Sequence, residues 1–150
     1  LRDIDFHCVA EDIRSFYQVA TASNNINLNI EVQQHTTFKN DLSLIELILY
    51  NLLNNAFKYY KKHEPNKQVW LDIQVTKGFT IIKIKDNGIG IPKSDHGEIF
   101  KLFYRANAQA LGMGFGLYNI KNALLKLNGS IEVDSQLGAG TTFTVKIPSK

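Results

Sequence analysis

A second cysteine is missing. Cys8 stands alone among 150 residues, which excludes an internal disulfide and predicts a small, buried, apolar side chain in a reducing compartment. Missing too is any apolar run near the ~20 residues of a membrane span. Arg2, Asp3 and Asp5 occupy the place where a secretory leader needs an apolar stretch. Charge of one sign is nowhere concentrated: 17 Lys and Arg face 14 Asp and Glu, a net charge of +3. The lysines are scattered, which argues against a nucleic-acid surface. Repeats, low-complexity segments and linkers are absent, so residues 1–150 are expected to form one domain. The chain opens on Leu1 rather than methionine, as a piece of something longer or a processed chain would. The expected setting is the cytoplasm, with no direct membrane contact.

What is there suits one core. Hydrophobic residues make up 44% and charged residues 21%, the balance of an ordinary globular chain. A short extended segment from Ile4 leads into an amphipathic helix to about Ala22, with Val9, Ile13, Phe16, Tyr17 and Ala20 on one face. Asn24-Asn25 ends it, and Leu28, Ile30 and Val32 alternate as a strand. Asn40-Asp41 caps a long helix from about Leu42 to Lys62. Gln68–Thr76 and Phe79–Asp86 read as a hairpin turned at Lys77-Gly78. A short helix is expected at Ser94–Phe103 and another at Leu117–Leu127, ended by Asn128-Gly129. Strands at Ser130–Ser135 and Thr141–Ile147 close the chain. This order predicts an α/β two-layer sandwich: a mixed, largely antiparallel sheet with about three helices on one face.

Polar residues interrupt that pattern in four places. Asn51, Asn55 and Lys58 lie within roughly 60° of one another on the long helix, flanked by Leu44, Leu47 and Ile48. A buried carboxamide without a partner costs about 1–3 kcal/mol; bonding to nearby backbone is one answer. The other is a ligand: amide oxygens suit magnesium, and a lysine suits phosphate. Asp86 ends a strand on the face of Ile82 and Ile84, opposite Lys83 and Lys85, so its carboxylate points into the apolar layer. There it either caps an Asp-Asn-Gly turn or accepts from an exocyclic amine such as that of adenine. Gly88 and Gly90 are free to take positive φ and admit a ligand to the backbone. Gly112, Gly114 and Gly116 open onto a helix beginning at Leu117, an anion site in the making. No Gly-Lys-Ser/Thr follows and no strand precedes, so this is neither a Walker loop nor a Rossmann fingerprint. Arg105, just before, is either a surface residue or one that swings onto phosphate.

Taken together these segments resemble the catalytic ATP-binding domain of sensor histidine kinases, in the superfamily shared with gyrase, a heat-shock chaperone and mismatch-repair ATPases. Asn51–Tyr59 is similar to its N box, Asp86–Pro92 to the G1 box, Ile99–Arg105 to the F box and Gly112–Leu117 to the G2 box. Gly138–Phe143 is similar to the closing glycine-threonine hairpin. The resemblance implies the Bergerat fold. It implies that Asn55, with Asn51 a turn earlier, holds the magnesium ion on ATP, that Lys58 and Arg105 meet phosphates, and that Tyr59 packs near the base. Asp86 would accept from the adenine amine, with Gly88, Gly90 and Ile91 shaping the base pocket. Gly112, Gly114, Gly116, Leu117 and Thr142 complete the nucleotide contacts, and about Tyr104 to Met113 form a short lid.

Where the ATPases of this superfamily carry a glutamate as general base, this chain has Asn51, and a neutral amide takes no proton from water. Hydrolysis is therefore disfavoured relative to phosphoryl transfer onto an outside histidine. Met113 and Phe115 depart from the usual G2 residues, Lys101 from the usual acidic F-box residue, and Leu127-Asn128-Gly129 from a double glycine. None of His7, His35, His63 or His96 sits in the family's acceptor motif. The resemblance thus implies a separate dimerisation and phosphoacceptor domain as partner, and a response-regulator receiver domain downstream. Phe100, Phe103 and Tyr104 would belong either to that docking surface or to the core. A clamp-type ATPase and a non-catalytic nucleotide-shaped module are the competing readings.

Overall fold

The computed structural model describes residues 1–58, 60, 64–97, 99–100 and 116–150. Its elements run β1 (Arg2–Asp3), α1 (Phe6–Asn24), β2 (Ile26–Gln34), β3 (Lys39–Asn40), α2 (Leu42–Lys58), β4 (Lys67–Thr76), β5 (Phe79–Asp86), a 3-10 turn at Lys93–Asp95, α3 (Gly116–Leu127), β6 (Ser130–Gln136) and β7 (Gly140–Pro148). Five strands form one sheet in the order β2-β4-β5-β7-β6. β2 runs parallel to β4 and the other neighbours are antiparallel. The expected α/β sandwich, a mixed sheet with three helices among the described residues, is the fold observed.

Register turns strand alternation into layers. Ile30, Leu71, Ile84, Phe143 and Val133 lie side by side across the sheet, and Val32, Ile73, Ile82, Val145 and Ile131 form the next row. The central members of both rows are buried, because this face carries the helices while the other is solvated. Onto it α2 lays Ile45, Ile48, Leu49, Leu52, Leu53 and Ala56, one stripe at helical spacing. From α3, Ile120, Ala123, Leu124 and Leu127 join the same core.

Local chemistry sets the helix ends. Asp5 accepts from the His7 N–H at the start of α1, and Asn25 ends it at φ 55°. Asp41 accepts from the Leu44 N–H at the start of α2. After α3, Asn128 takes the left-handed conformation at φ 55°. The Gly129 N–H then bonds the Leu124 carbonyl and the Asn128 N–H the Leu125 carbonyl, the paired bonds of a Schellman motif. Asparagine tolerates that conformation, which is why a double glycine is unnecessary here. Gly129 is needed for space: a Cβ would lie 2.8 Å from the Leu124 side chain and 2.9 Å from the Lys146 carbonyl oxygen.

Three expectations differ from the structure. Phe16 is 64% exposed. The buried arc of α1 is Phe6, Val9, Ala10, Ile13 and Tyr17, and Phe16 lies roughly 75° from its centre. Its ring packs edge-on against Tyr17 and Tyr50 instead. Cys8 is exposed, on the side of α1 away from that arc, and its thiol donates to Asp5 Oδ2 at 3.4 Å. At Lys93–Asp95 the expected helix is a single 3-10 turn; beyond it 96–97 and 99–100 are turn, and 98 and 101–103 lie outside the described residues, as do 59 and 61–62 beyond Lys58, where α2 ends short of the expected Lys62.

Candidate functional site

Asp86 is the last residue of β5, in the end row of the helix-bearing face. Its neighbours across the sheet are Val69 on β4 and Thr141 on β7, with Ser135 on β6 beyond. The two rows nearest the middle are wholly apolar; this one ends in a carboxylate and two hydroxyls. One carboxylate oxygen of Asp86 accepts from the Gly88 N–H at 2.8 Å, so the residue caps its own turn. Burial pushes its carboxyl up to about 7, against the opposing pull of the Gly88 and Thr141 N–H groups. No charged partner among the described residues neutralises it. A half-buried acceptor without a counter-ion is costly to a fold, and suits a donor arriving from outside.

Two sets of bonds hold the carboxylate in place. On one side the Asn87 side chain accepts from the Gln68 N–H at 2.8 Å and donates to the Asn66 carbonyl at 2.5 Å. Tyr60 adds its hydroxyl to the Gln68 carbonyl at 3.1 Å. Burial first, then the nearby Asp86 and Glu64 charges, raise that phenol well above its usual range. On the other side the loop after Asp86 rests on the β6–β7 turn. The Gly138 N–H donates to the Ile89 carbonyl at 2.6 Å, and the Ile91 N–H donates to Ser135 Oγ at 2.7 Å. Asn87, Tyr60 and Ser135 were not singled out by sequence reasoning. For Ser135 the signal was available, since it continues the alternation of Ile131 and Val133.

The glycines divide differently from expectation. Gly90 has φ +81°, and a Cβ there would fall on the Gln136 carbonyl oxygen; its bareness serves the packing of the loop on the turn. Gly88 is not among the residues of positive φ. Thr142 does not join Asp86: it pairs with Lys85 and Asp134 on the solvated face. Thr141 takes the position beside Asp86, as its alternation with Phe143, Val145 and Ile147 foretells.

On α2, Asn51 and Asn55 are half-buried and Lys58 is exposed in the last turn. The Asn51 amide donates to the Leu47 carbonyl at 2.8 Å. Only the nitrogen of a carboxamide can make that bond, so Oδ1 is the acceptor atom of this side chain. Asn54, which sequence reasoning passed over, accepts from the Tyr17 hydroxyl at 2.6 Å and ties α2 to α1. Ile91 and Leu117 are partly buried against the core, and so is Phe100, whose ring meets Phe143 edge-on. Gly116 opens α3. Tyr59, Arg105, Gly112 and Gly114 lie outside the described residues, as do Phe103 and Tyr104.

Comparison with known proteins shows the family and the fold. The sensor protein RprX of Bacteroides fragilis (strain YCH46) is 32% identical over 138 residues, covering 87% of this chain and 26% of RprX. The chain thus spans about a quarter of that relative's length. Among solved structures, the mycobacterial sensor histidine kinase MprB superposes with TM-score 0.79 at 25% identity, covering 99% of this chain and 97% of the other. Full-length ShkA, determined in complex with AMPPNP, superposes with TM-score 0.86 at 20% identity, over 100% of this chain and 31% of the other, a likeness of fold. The profile of the "Histidine kinase-, DNA gyrase B-, and HSP90-like ATPase" family matches residues 40–150, from the cap of α2 through Asp86 to the last strand, and the chain belongs to that family, with the fold of a sensor histidine kinase catalytic domain.

Proposed function

We propose that residues 1–150 form one catalytic domain that binds magnesium-ATP and passes the γ-phosphoryl group to a histidine on a separate dimerisation and phosphoacceptor domain. The observation that carries this reading is Asp86, an acceptor held without a counter-ion among the described residues at the end of the helix-bearing face. An exocyclic amine supplies the missing donor, and the surrounding aliphatic rows supply a floor for a purine ring. Tyr59 would pack near that ring, with Gly88, Gly90 and Ile91 shaping the pocket. Lys58 and Arg105 would meet phosphate oxygens, beside the backbone of Gly112, Gly114, Gly116 and Leu117.

The residues of α2 fit a magnesium ion. Among the described residues no group of three acidic, histidine or cysteine side chains stands ready for a metal, so the ion would be held through neutral amide oxygens and the nucleotide's phosphates. Asn51 presents such an oxygen because its nitrogen is already engaged, and Asn55 lies one turn on. Bound there, magnesium would neutralise phosphate charge.

Asn51 also bears on the reaction class. An amide has no basicity to activate water, which favours transfer to an imidazole over hydrolysis. The chain's work is then to bind, orient and exclude water rather than to move a proton. The domain would sit in the cytoplasmic part of a sensor, with a receiver domain taking the phosphate onward. Calorimetric titration with ATP, with and without magnesium, tests the site: saturable binding weakened by chelation and lost in D86N is expected. Incubation with an acceptor helix hairpin and labelled ATP tests transfer. Steady phosphate release without any acceptor would overturn the transfer reading in favour of an ATPase.

A further inference from the structure

Ser135 is 4% exposed, and its hydroxyl has three partners. It lies 2.9 Å from the Gly140 carbonyl oxygen, 2.8 Å from Thr141 Oγ1 and 2.7 Å from the Ile91 nitrogen. A serine hydroxyl has one proton and two lone pairs. The Gly140 carbonyl only accepts, so it takes the proton. The Ile91 N–H only donates, so it uses one lone pair. That leaves the second lone pair for Thr141, and the direction of the last bond is fixed: Thr141 donates to Ser135.

The consequence falls on the pocket. With its proton committed inside the hairpin, Thr141 keeps only lone pairs for whatever lies against it on the side of Asp86. The ionised Asp86 carboxylate is also an acceptor only. With Asp86 ionised, the wall at the end of the sheet therefore offers, among the described residues, acceptors and no side-chain donor. A 6-amino purine brings two N–H donors to such a wall. A 6-oxo purine brings a carbonyl, and lone pairs would face lone pairs.

We propose that Ser135 is a positioning residue for purine choice: it fixes the loop at Ile91 and consumes the Thr141 proton, so that 6-amino purine nucleotides are taken and 6-oxo ones refused. This deepens the ATP-site reading above and rests on it. Ser135 touches no nucleotide, so its removal acts on selectivity through Thr141.

The test is the ratio of affinities for ATP and inosine triphosphate, measured by calorimetry on the wild-type chain and S135A. Freed from Ser135, the Thr141 hydroxyl rotates and donates, and the preference for ATP falls about tenfold, the value of one hydrogen bond. Equal weakening of both nucleotides, or an unchanged ratio, overturns the proposal and leaves the ATP site standing. Absence of ATP binding by the wild type overturns the site reading itself. Should S135A fail to fold, the wild type decides by NMR. A slowly exchanging Thr141 hydroxyl proton close to Ser135 Hβ supports the assignment, and the same proton found on Ser135 and pointing to Thr141 overturns it.

Discussion

Replacing Asp86 with asparagine should make the nucleotide-free protein more stable while removing its ligand. The carboxyl is raised from 3.8 to about 7 chiefly by burial, so the folded state keeps its proton to higher pH than the unfolded chain does. Stability is then greatest below the unfolded value, near 3.8, and falls as pH rises toward 7, where the folded state must carry a poorly solvated charge. At 1.36 kcal/mol per pH unit the whole interval corresponds to roughly 4 kcal/mol. Asparagine keeps an oxygen for the Gly88 N–H but cannot serve both that group and Thr141 as a carboxylate does, which returns about 1–2 kcal/mol. The net gain is about 2–3 kcal/mol at pH 8. For a chain of this size that raises the melting temperature by about 4–10 °C. The assay is a pair of thermal melts for wild type and D86N at pH 8 and at pH 5, without nucleotide. The gap should be wide at pH 8 and narrow at pH 5, where the wild-type carboxyl is already neutral. A variant melting at or below wild type at pH 8, or a gap indifferent to pH, would refute the claim that Asp86 is held at a cost.

Three further substitutions probe the frame. G90A should cost about 2–4 kcal/mol in chemical denaturation, because a positive φ is combined with overlap on the Gln136 carbonyl. G78A, at φ +96° with nothing within 4 Å, should cost only the backbone share of about 1 kcal/mol, so equal losses would deny the packing argument. N40A should lose about 1–3 kcal/mol. Its fully buried side chain donates to the Pro148 carbonyl at 2.8 Å and accepts from the Asp41 N–H, and an unchanged denaturation midpoint would show those bonds to be idle.

Legibility followed range of interaction. Ile82, Ile84 and Asp86 share a face because side chains alternate along any strand, and that is visible within five residues. Asp41 and Asn25 act on neighbours three or four residues away, so the end of α1 and the start of α2 were readable too. Phe16 was misplaced because hydrophobicity marks what prefers burial, and the sheet decides which arc of α1 is covered. Cys8 failed for the same reason. Gly90 was read as making room for a ligand, yet its demand for space comes from Gln136, 46 positions on; such a contact exists only once β6 and β7 have paired. Asn87, whose partners lie at Asn66 and Gln68, was hidden by distance in the same way; the place of Ser135 beside Thr141 followed from strand alternation, and only its bond to Ile91 was hidden. Thr142 is the instructive case: strand alternation placed Thr141 beside Asp86, and the doubled threonine concealed the phase.

The two ends of the chain meet at one corner. Arg2 pairs with Asn40, Asn40 holds Pro148, and the Lys150 N–H bonds the Lys39 carbonyl. Along β5 that corner lies at Phe79, paired with Pro148, while the proposed pocket lies at Asp86, seven residues away, or about 24 Å at strand rise. Tension applied through segments fused to both ends would therefore peel a two-residue ribbon open like a zip before it loaded the pocket row. Joining those ends by a short tether and opening the chain at Lys77-Gly78 instead would give a permuted protein in which every bond around Asp86 is kept.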